Sequence, residues 1–162
     1  MDGAFGLKGG LLQGDILLNL DSETEGELYV GCAGGTDVNA SLEYQAETAP
    51  EGFESLEISV KGCKGGHSGI QIICQRANAN KLMGEFLSRV QALMPLCLTK
   101  LSGGSKDNAI TRSCSATLVA MGSHIERIND VAEALQAEIR EKCDEPEAMV
   151  YGADVDALGG NA

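Results

Sequence analysis

The hydrophobic periodicity of residues 55–151 constrains the fold most, because it changes repeatedly between a period of two and a period near 3.6. Apolar residues alternate with polar ones from Leu56 to Val60, which predicts a strand that stops at Gly62. From Ile72 to Met94 apolar residues recur at steps of three and four, which predicts an amphipathic helix. The region therefore starts with a strand followed by a helix.

Further elements follow in the same region. Leu96–Leu101 and Ala116–Ala120 are predicted strands on either side of the turn sequence SGGSKDN. Ser123 fits an N-cap, with Glu126 completing a capping box, for a helix that runs to about residue 142. Residues 148–151 form a last short strand. The predicted order is β-α-β-β-α-β, an α+β ferredoxin-like arrangement of two helices on one face of an antiparallel sheet.

The first third of the chain has a different character. Residues 1–36 are Gly-rich around one apolar run, 16–20, and a predicted short strand, Glu27–Val30. Residues 37–54 are polar and acidic but keep enough alternation for one more strand.

Charge and cysteine content exclude several classes of protein. The net charge of −12 argues against nucleic acid and anionic membranes as partners, and no apolar run approaches the roughly 20 residues of a membrane span. Six cysteines without a C-x-x-C pair fit neither a zinc knuckle nor a disulfide framework. We therefore expect a protein of the reducing cytoplasm.

Asp21 directly follows the apolar run and precedes two further acidic residues within DSETE. A strand that ends there would deliver one carboxylate to the C-terminal edge of a sheet, where ligands and metals bind in open α/β folds. The alternative is that Asp21 only caps the following turn.

Other polar clusters occur in predicted loops or at helix starts, where functional residues are common. They are His67 in GGHSG; Arg76, Asn78 and Asn80 in QRANANK; and Asn108 and Arg112 in KDNAITR. The glycines leave the imidazole of His67 uncovered, although a solvated surface histidine is the alternative. The two asparagines in NAN fit a helix cap equally well, and His124 is interpreted as a helix-terminal residue.

Four sequence blocks together resemble one known family: LLNLDSETEGELYVGCAGG, VKGCKGGHSGIQI, RANANKL and SGGSKDNAITR. They are similar to the Xaa-His dipeptidases, also called aminoacyl-histidine or carnosine-type dipeptidases. These are two-zinc metallopeptidases with a catalytic domain and an inserted lid domain. The resemblance extends from about residue 2 to about residue 142.

The resemblance implies a role for each cluster. Asp21 would be a zinc ligand, and His67 would stabilise the oxyanion of the attacked carbonyl. Asn108, with Arg112 or Arg76, would hold the peptide backbone or the terminal carboxylate of a dipeptide. Thr111 stands where the family commonly has Pro, which makes the position of Arg112 less certain than that of Asn108.

The resemblance also implies a domain organisation. Residues 1–36 would be a remnant of the catalytic domain, 37–152 the lid of the dimerisation type, and 153–162 a flexible tail. Only one of about five expected zinc ligands and no general base are present, so this segment alone would neither hold the two zinc ions nor hydrolyse Xaa-His dipeptides. We expect a homodimer through the lid. The alternative is a stand-alone ferredoxin-like module that binds a small ligand or a protein.

Overall fold

The computed structural model describes residues 6–16, 18, 24–31, 34–142 and 148–156, with only the backbone described for 151–156. The chain divides into two units, Met1–Tyr44 and Gln45–Ala162. The predicted boundaries at residues 36 and 152 stay predictions.

The second unit contains the regular elements of the fold. The strands are β1 (Phe53–Lys61), β2 (Gly66–His67), β3 (Cys97–Gly103), β4 (Ala109–Ile110), β5 (Cys114–Met121) and β6 (Met149–Asp156). The helices are α1 (Ala79–Leu93) and α2 (Ile125–Lys142), with 3₁₀ turns at Ile72–Cys74 and Gly122–His124.

Four strands form one antiparallel sheet in the order β3-β5-β1-β6. The order and the two intervening helices confirm the predicted ferredoxin-like fold, α+β with two helices on an antiparallel sheet. Leu56 pairs with Leu118 and Ile58 with Ala116, so alternate residues of β1 and β5 face the helices together. The short strands β2 and β4 form a separate two-stranded ladder that the periodicity did not predict.

The core lies between the helices and one face of this sheet. Phe86 of α1 is fully buried, and Leu56 of β1 and Leu135 of α2 are almost so. The other buried apolar residues of the two helices are Ala79, Met83, Val90, Ile128, Ala132 and Ile139. Their spacing of three, four or seven residues is the pattern that predicted the helices.

The first helix begins later than its apolar pattern predicts. Ile72–Cys74 is a 3₁₀ turn that ends in Gln75, whose φ of 48° is left-handed, and α1 starts at Ala79. Asn78 is the N-cap, because its Oδ1 accepts the backbone N–H groups of Asn80 (3.0 Å) and Lys81 (3.3 Å). The prediction of one helix from Ile72 is therefore wrong, and capping is the observed role of Asn78.

The start of the second helix also differs from the prediction. A 3₁₀ turn at Gly122–His124 leads directly into α2, and the residue that caps this turn is Met121. Ser123 lies inside the turn, so it is not the N-cap of a capping box. His124 lies at the helix start, as predicted.

The described part of the first unit contains no strand. Glu27–Val30 and residues 34–44 are irregular, and Leu28 is 97% exposed. The strands predicted there are therefore wrong: alternation alone does not make a strand, which needs a neighbouring backbone for its hydrogen bonds. Ile16 and Leu18 are also irregular, whereas Leu17, Leu20 and Asp21 lie outside the described residues.

An ion-pair network joins the two helices on the surface of the second unit. The guanidinium of Arg89 donates to both carboxylate oxygens of Glu138, at 2.6 and 3.0 Å, and also to Glu85. Lys142 donates to Glu138 as well, at 3.0 Å. The hydrogen bonds from Arg89, followed by that from Lys142, lower the pKa of Glu138 to about 2. Glu138 is therefore ionised at neutral pH.

Gln136 connects α2 to β6, a strand at the end of the sheet order, through two buried hydrogen bonds. Its Nε2 donates to the C=O of Ala148 at 2.9 Å, and its Oε1 accepts the N–H of Val150 at 2.6 Å. Both backbone groups lose their partners in Gln136→Leu. We expect a cost of about 1–3 kcal/mol for each group left unsatisfied, measured by urea denaturation. The control is Gln91→Leu on the exposed side of α1, and an equal loss in both variants would contradict this role for Gln136.

Candidate functional site

The two-stranded ladder joins two of the polar clusters found in the sequence. Gly66 pairs with Ile110 and His67 with Ala109, so the GGHSG turn lies against the KDNAITR loop. Ser68 strengthens this junction, because its backbone N–H and its hydroxyl both donate to the C=O of Asn108, at 3.1 and 2.9 Å. His67 and Asn108 are therefore held in neighbouring loops.

The imidazole of His67 is exposed but fixed by backbone donors. The N–H groups of Gly69 and Ile70 donate to its Nδ1, at 3.1 and 3.3 Å. Assigned from these bonds, the neutral ring carries its proton on Nε2. An Nε2–H donor of this kind can stabilise negative charge that develops on an oxygen.

A cleft of about 830 Å³ opens beside this junction and is lined by His67 and Asn108. Three cationic side chains also line it, those of Lys61, Lys106 and Arg112. None of the three forms an ion pair with another described residue. The other polar lining residues include Gln71, Ser102, Ser105, Thr111, Ser113 and Ser115.

No Asp or Glu is among the described residues that line the cleft. This local charge is opposite to the net charge of −12 of the whole chain. Cationic side chains and hydroxyl donors without competing carboxylates favour a negatively charged ligand. The cleft is therefore suited to a carboxylate.

The structure separates the two arginines between which the sequence left the choice open. Arg112 lines the cleft, and its side chain lies where a Cβ on Gly65 would be. Thr111 before it is buried, and its C=O accepts the N–H of Ala79 at 3.0 Å, which anchors this loop to α1. Arg76 is not among the lining residues; it donates to the C=O of Gly65 and to Gln71 Oε1.

Sequence reasoning missed three residues of this site. Lys61 was interpreted only as the end of a strand and Lys106 as part of a turn, and Gln71 was assigned no role because the predicted helix begins after it, at Ile72. Gln71 lies four residues after His67 in a glycine-containing turn, which is the one local signal that could have indicated a contact.

Asp21 lies outside the described residues. The described residues contain no group of three or more His, Cys, Asp or Glu side chains that could hold a metal ion. They do not by themselves fit the zinc site that the resemblance implies.

Comparison with known proteins gives the family. The sequence profile of the peptidase dimerisation domain matches residues 58–147, which is more than half of the chain. The chain belongs to this family. The matched segment of the peptidase dimerisation domain includes His67, Asn108 and the cationic lining residues.

Individual relatives are dipeptidases. The chain is 44% identical over 146 residues to the cytosol non-specific dipeptidase of Escherichia coli, covering 88% of the chain and 30% of that protein. The chain is also similar to the crystal structure of aminoacylhistidine dipeptidase from Vibrio alginolyticus, with 38% identity and a TM-score of 0.68. The match covers 95% of the present chain and 32% of the Vibrio alginolyticus chain. The resemblance to aminoacyl-histidine dipeptidases is confirmed.

Two further findings define the scope of the match. A hydantoinase/carbamoylase family amidase from Burkholderia ambifaria shares the fold over 65% of this chain and 28% of its own, with 8% identity and a TM-score of 0.50. The chain spans about a third of the length of the two dipeptidases that it matches. No helix in its described part is both long and apolar enough to cross a bilayer.

Proposed function

We propose that this chain is the lid segment of a zinc-dependent dipeptidase of the cytoplasm that hydrolyses Xaa-His dipeptides. The observation that carries the proposal is the cleft beside His67 and Asn108, which has three cationic side chains and no carboxylate among its described lining residues. The relatedness to dipeptidases supports the reaction, and the names of two relatives support the substrate class and the location.

The proposed role of the cleft is to hold the carboxylate end of the dipeptide. Arg112 is the arginine that we assign to this carboxylate, because its side chain lines the cleft and a guanidinium can donate two parallel hydrogen bonds. Asn108 would bind the peptide backbone through its side-chain amide. Arg76 would contribute through the loop that carries His67, since both of its described hydrogen bonds end in that loop.

His67 would donate a hydrogen bond from Nε2 to the carbonyl oxygen under attack. This role needs a neutral ring with its proton on Nε2, and the two N–H donors to Nδ1 favour that tautomer. The bond would strengthen as negative charge develops on the oxygen, which lowers the barrier of the chemical step.

Zinc would supply an activated water and polarise the carbonyl when bound. Asp21 is the ligand that we propose from this chain; the remaining ligands and the general base would come from other segments of the parent enzyme. This chain alone would therefore not catalyse the reaction.

The carboxylate subsite can be tested on the 162-residue chain itself. We expect β-alanyl-histidine to shift the amide NMR signals of Asn108 and Arg112, and its C-terminal amide to shift them much less. Arg112→Gln should weaken the response to the free dipeptide, whereas Arg127→Gln on the exposed surface of α2 should not. Equal responses to the dipeptide and its amide would contradict the proposal.

Two further measurements test whether zinc binding and hydrolysis require the other segments of the parent enzyme. The chain alone, supplied with Zn²⁺, should leave β-alanyl-histidine intact and show no tight, stoichiometric zinc binding by calorimetry. Cleavage by the isolated chain would overturn the assignment as a lid.

We also propose that the lid forms a homodimer, as the name of the family suggests. The edge strand β3 offers a surface for it, because all seven of its residues are exposed, with Leu98 at 47% and Leu101 at 55%. Unpaired edge strands readily join a second sheet. Sedimentation equilibrium that finds only monomer at the highest soluble concentration would contradict this proposal.

A further inference from the structure

We propose that Gln71 and Arg76 are positioning residues that fix His67 in the orientation its function needs. In this role neither Gln71 nor Arg76 contacts the substrate. The functional consequence rests on the role proposed for His67, whereas the positioning itself is a property of this chain and can be measured on it.

Gln71 forms hydrogen bonds with the backbone of His67 on both sides of its Cα. The N–H of His67 donates to Gln71 Oε1 at 2.8 Å, and the N–H of Gln71 donates to the C=O of His67 at 3.0 Å. These two bonds close a ring between the residues and leave the backbone of His67 little freedom to rotate.

Arg76 sets the orientation of the Gln71 amide. Its Nη1 donates to Gln71 Oε1 at 3.2 Å and to the C=O of Gly65 at 2.5 Å. Because both neighbours of the Gln71 side-chain oxygen are N–H donors, a flipped amide would place its NH₂ group against two donors. Arg76 therefore keeps the acceptor of Gln71 directed at His67.

Gly66 leaves the space that this arrangement requires. Its φ of +150° is one that side-chain-bearing residues rarely adopt, and a Cβ there would lie 2.5 Å from Gln71 Oε1 and 2.6 Å from Arg76 Nη1. The glycine before His67 therefore has a packing reason in addition to a conformational one.

The imidazole depends on the backbone that this clamp holds. Its Nδ1 accepts N–H groups of Gly69 and Ile70, which lie in the same turn between His67 and Gln71. If Gln71 releases the backbone of His67, the two donors and the ring can move apart. The clamp of Gln71 and Arg76 thus reaches the ring through the turn.

Amide hydrogen exchange on the ¹⁵N-labelled chain tests the clamp. In Gln71→Ala we expect the N–H groups of His67, Gly69 and Ile70 to exchange about five- to tenfold faster, as for the loss of one hydrogen bond. The Nδ1 nitrogen signal of His67 should shift as well. Arg76→Gln should show the same changes with a smaller amplitude.

Two variants separate positioning from general destabilisation. Gln71→Glu keeps an oxygen acceptor for His67 and Arg76, so it should restore slow exchange and the Nδ1 signal. Gln91→Ala, an exposed glutamine of α1, should change neither, and His124, the only other histidine, serves as an internal reference.

Unchanged exchange and an unchanged Nδ1 signal in Gln71→Ala would overturn the proposal. The same changes at His124 would also overturn it, because they would mean global loosening. Failure of the catalytic role of His67 would show as normal turnover in a His67 variant of the parent enzyme, which leaves the exchange result untouched, so the two failures are distinguishable.

Discussion

His67→Ala is expected to lower kcat of a dipeptidase that carries this segment by roughly a hundredfold or more, as for other lost oxyanion donors. The Nε2–H would act mainly in the transition state, where charge on the carbonyl oxygen is greatest, so KM should change far less than kcat. Zinc content should stay the same. The measurement is steady-state hydrolysis of β-alanyl-histidine together with metal analysis of each variant.

Matched variants make this expectation specific. His124→Ala removes the other histidine, which does not line the cleft, and should leave kcat unchanged. His67→Gln keeps an N–H donor and should fall between the alanine variant and the wild type. A chimera in which this chain replaces the aligned 146 residues of the Escherichia coli relative offers one active background. Normal turnover of His67→Ala there would remove His67 from the mechanism.

Phe86→Ala is expected to destabilise the second unit by about 3–5 kcal/mol. Phe86 is fully buried, and its side chain is the largest of the fully buried ones in the described part of the chain. Truncation to Ala loses the burial of the ring and leaves a cavity that its close-packed neighbours fill only partly. Since a domain of this size is stable by only about 5–15 kcal/mol, this loss is a large fraction of the total.

Urea denaturation followed by circular dichroism measures this cost. Leu93→Ala near the end of the same helix is the matched control, because Leu93 is 48% exposed and should lose about 1 kcal/mol or less. The slope of the free energy against urea should be the same in both variants, which shows that the unfolding reaction itself is unchanged. Equal costs for Phe86 and Leu93 would contradict the packing described for α1.

Periodicity predicted the central elements of the ferredoxin-like fold because β1, β5 and both helices each bury one face. It failed at the start of α1, where Ile72 and Ile73 continue the apolar pattern although both are exposed. The polar cap at Asn78 determines the boundary instead. In residues 27–44 alternation predicted strands that the structure does not form, because pairing with another backbone is not a property of the local sequence.

Several residues of the candidate site could be predicted individually from the sequence, but their proximity in the fold could not. His67, Asn108 and Arg112 were found because they lie in loops with glycines or turn residues. Their meeting depends on β2 and β4, two-residue strands too short to show any period. The contribution of Lys61 depends on where β1 ends relative to that ladder, which is again a long-range relation.

The ladder of Gly66 and His67 with Ala109 and Ile110 has a consequence for how the cleft responds to stress. The few backbone hydrogen bonds of this ladder hold together two loops that are distant in sequence. If heat or denaturant breaks these bonds, the ligand-binding side chains of both loops move apart together. We therefore expect ligand affinity to disappear in a single step, below the melting of the main sheet, instead of fading one contact at a time.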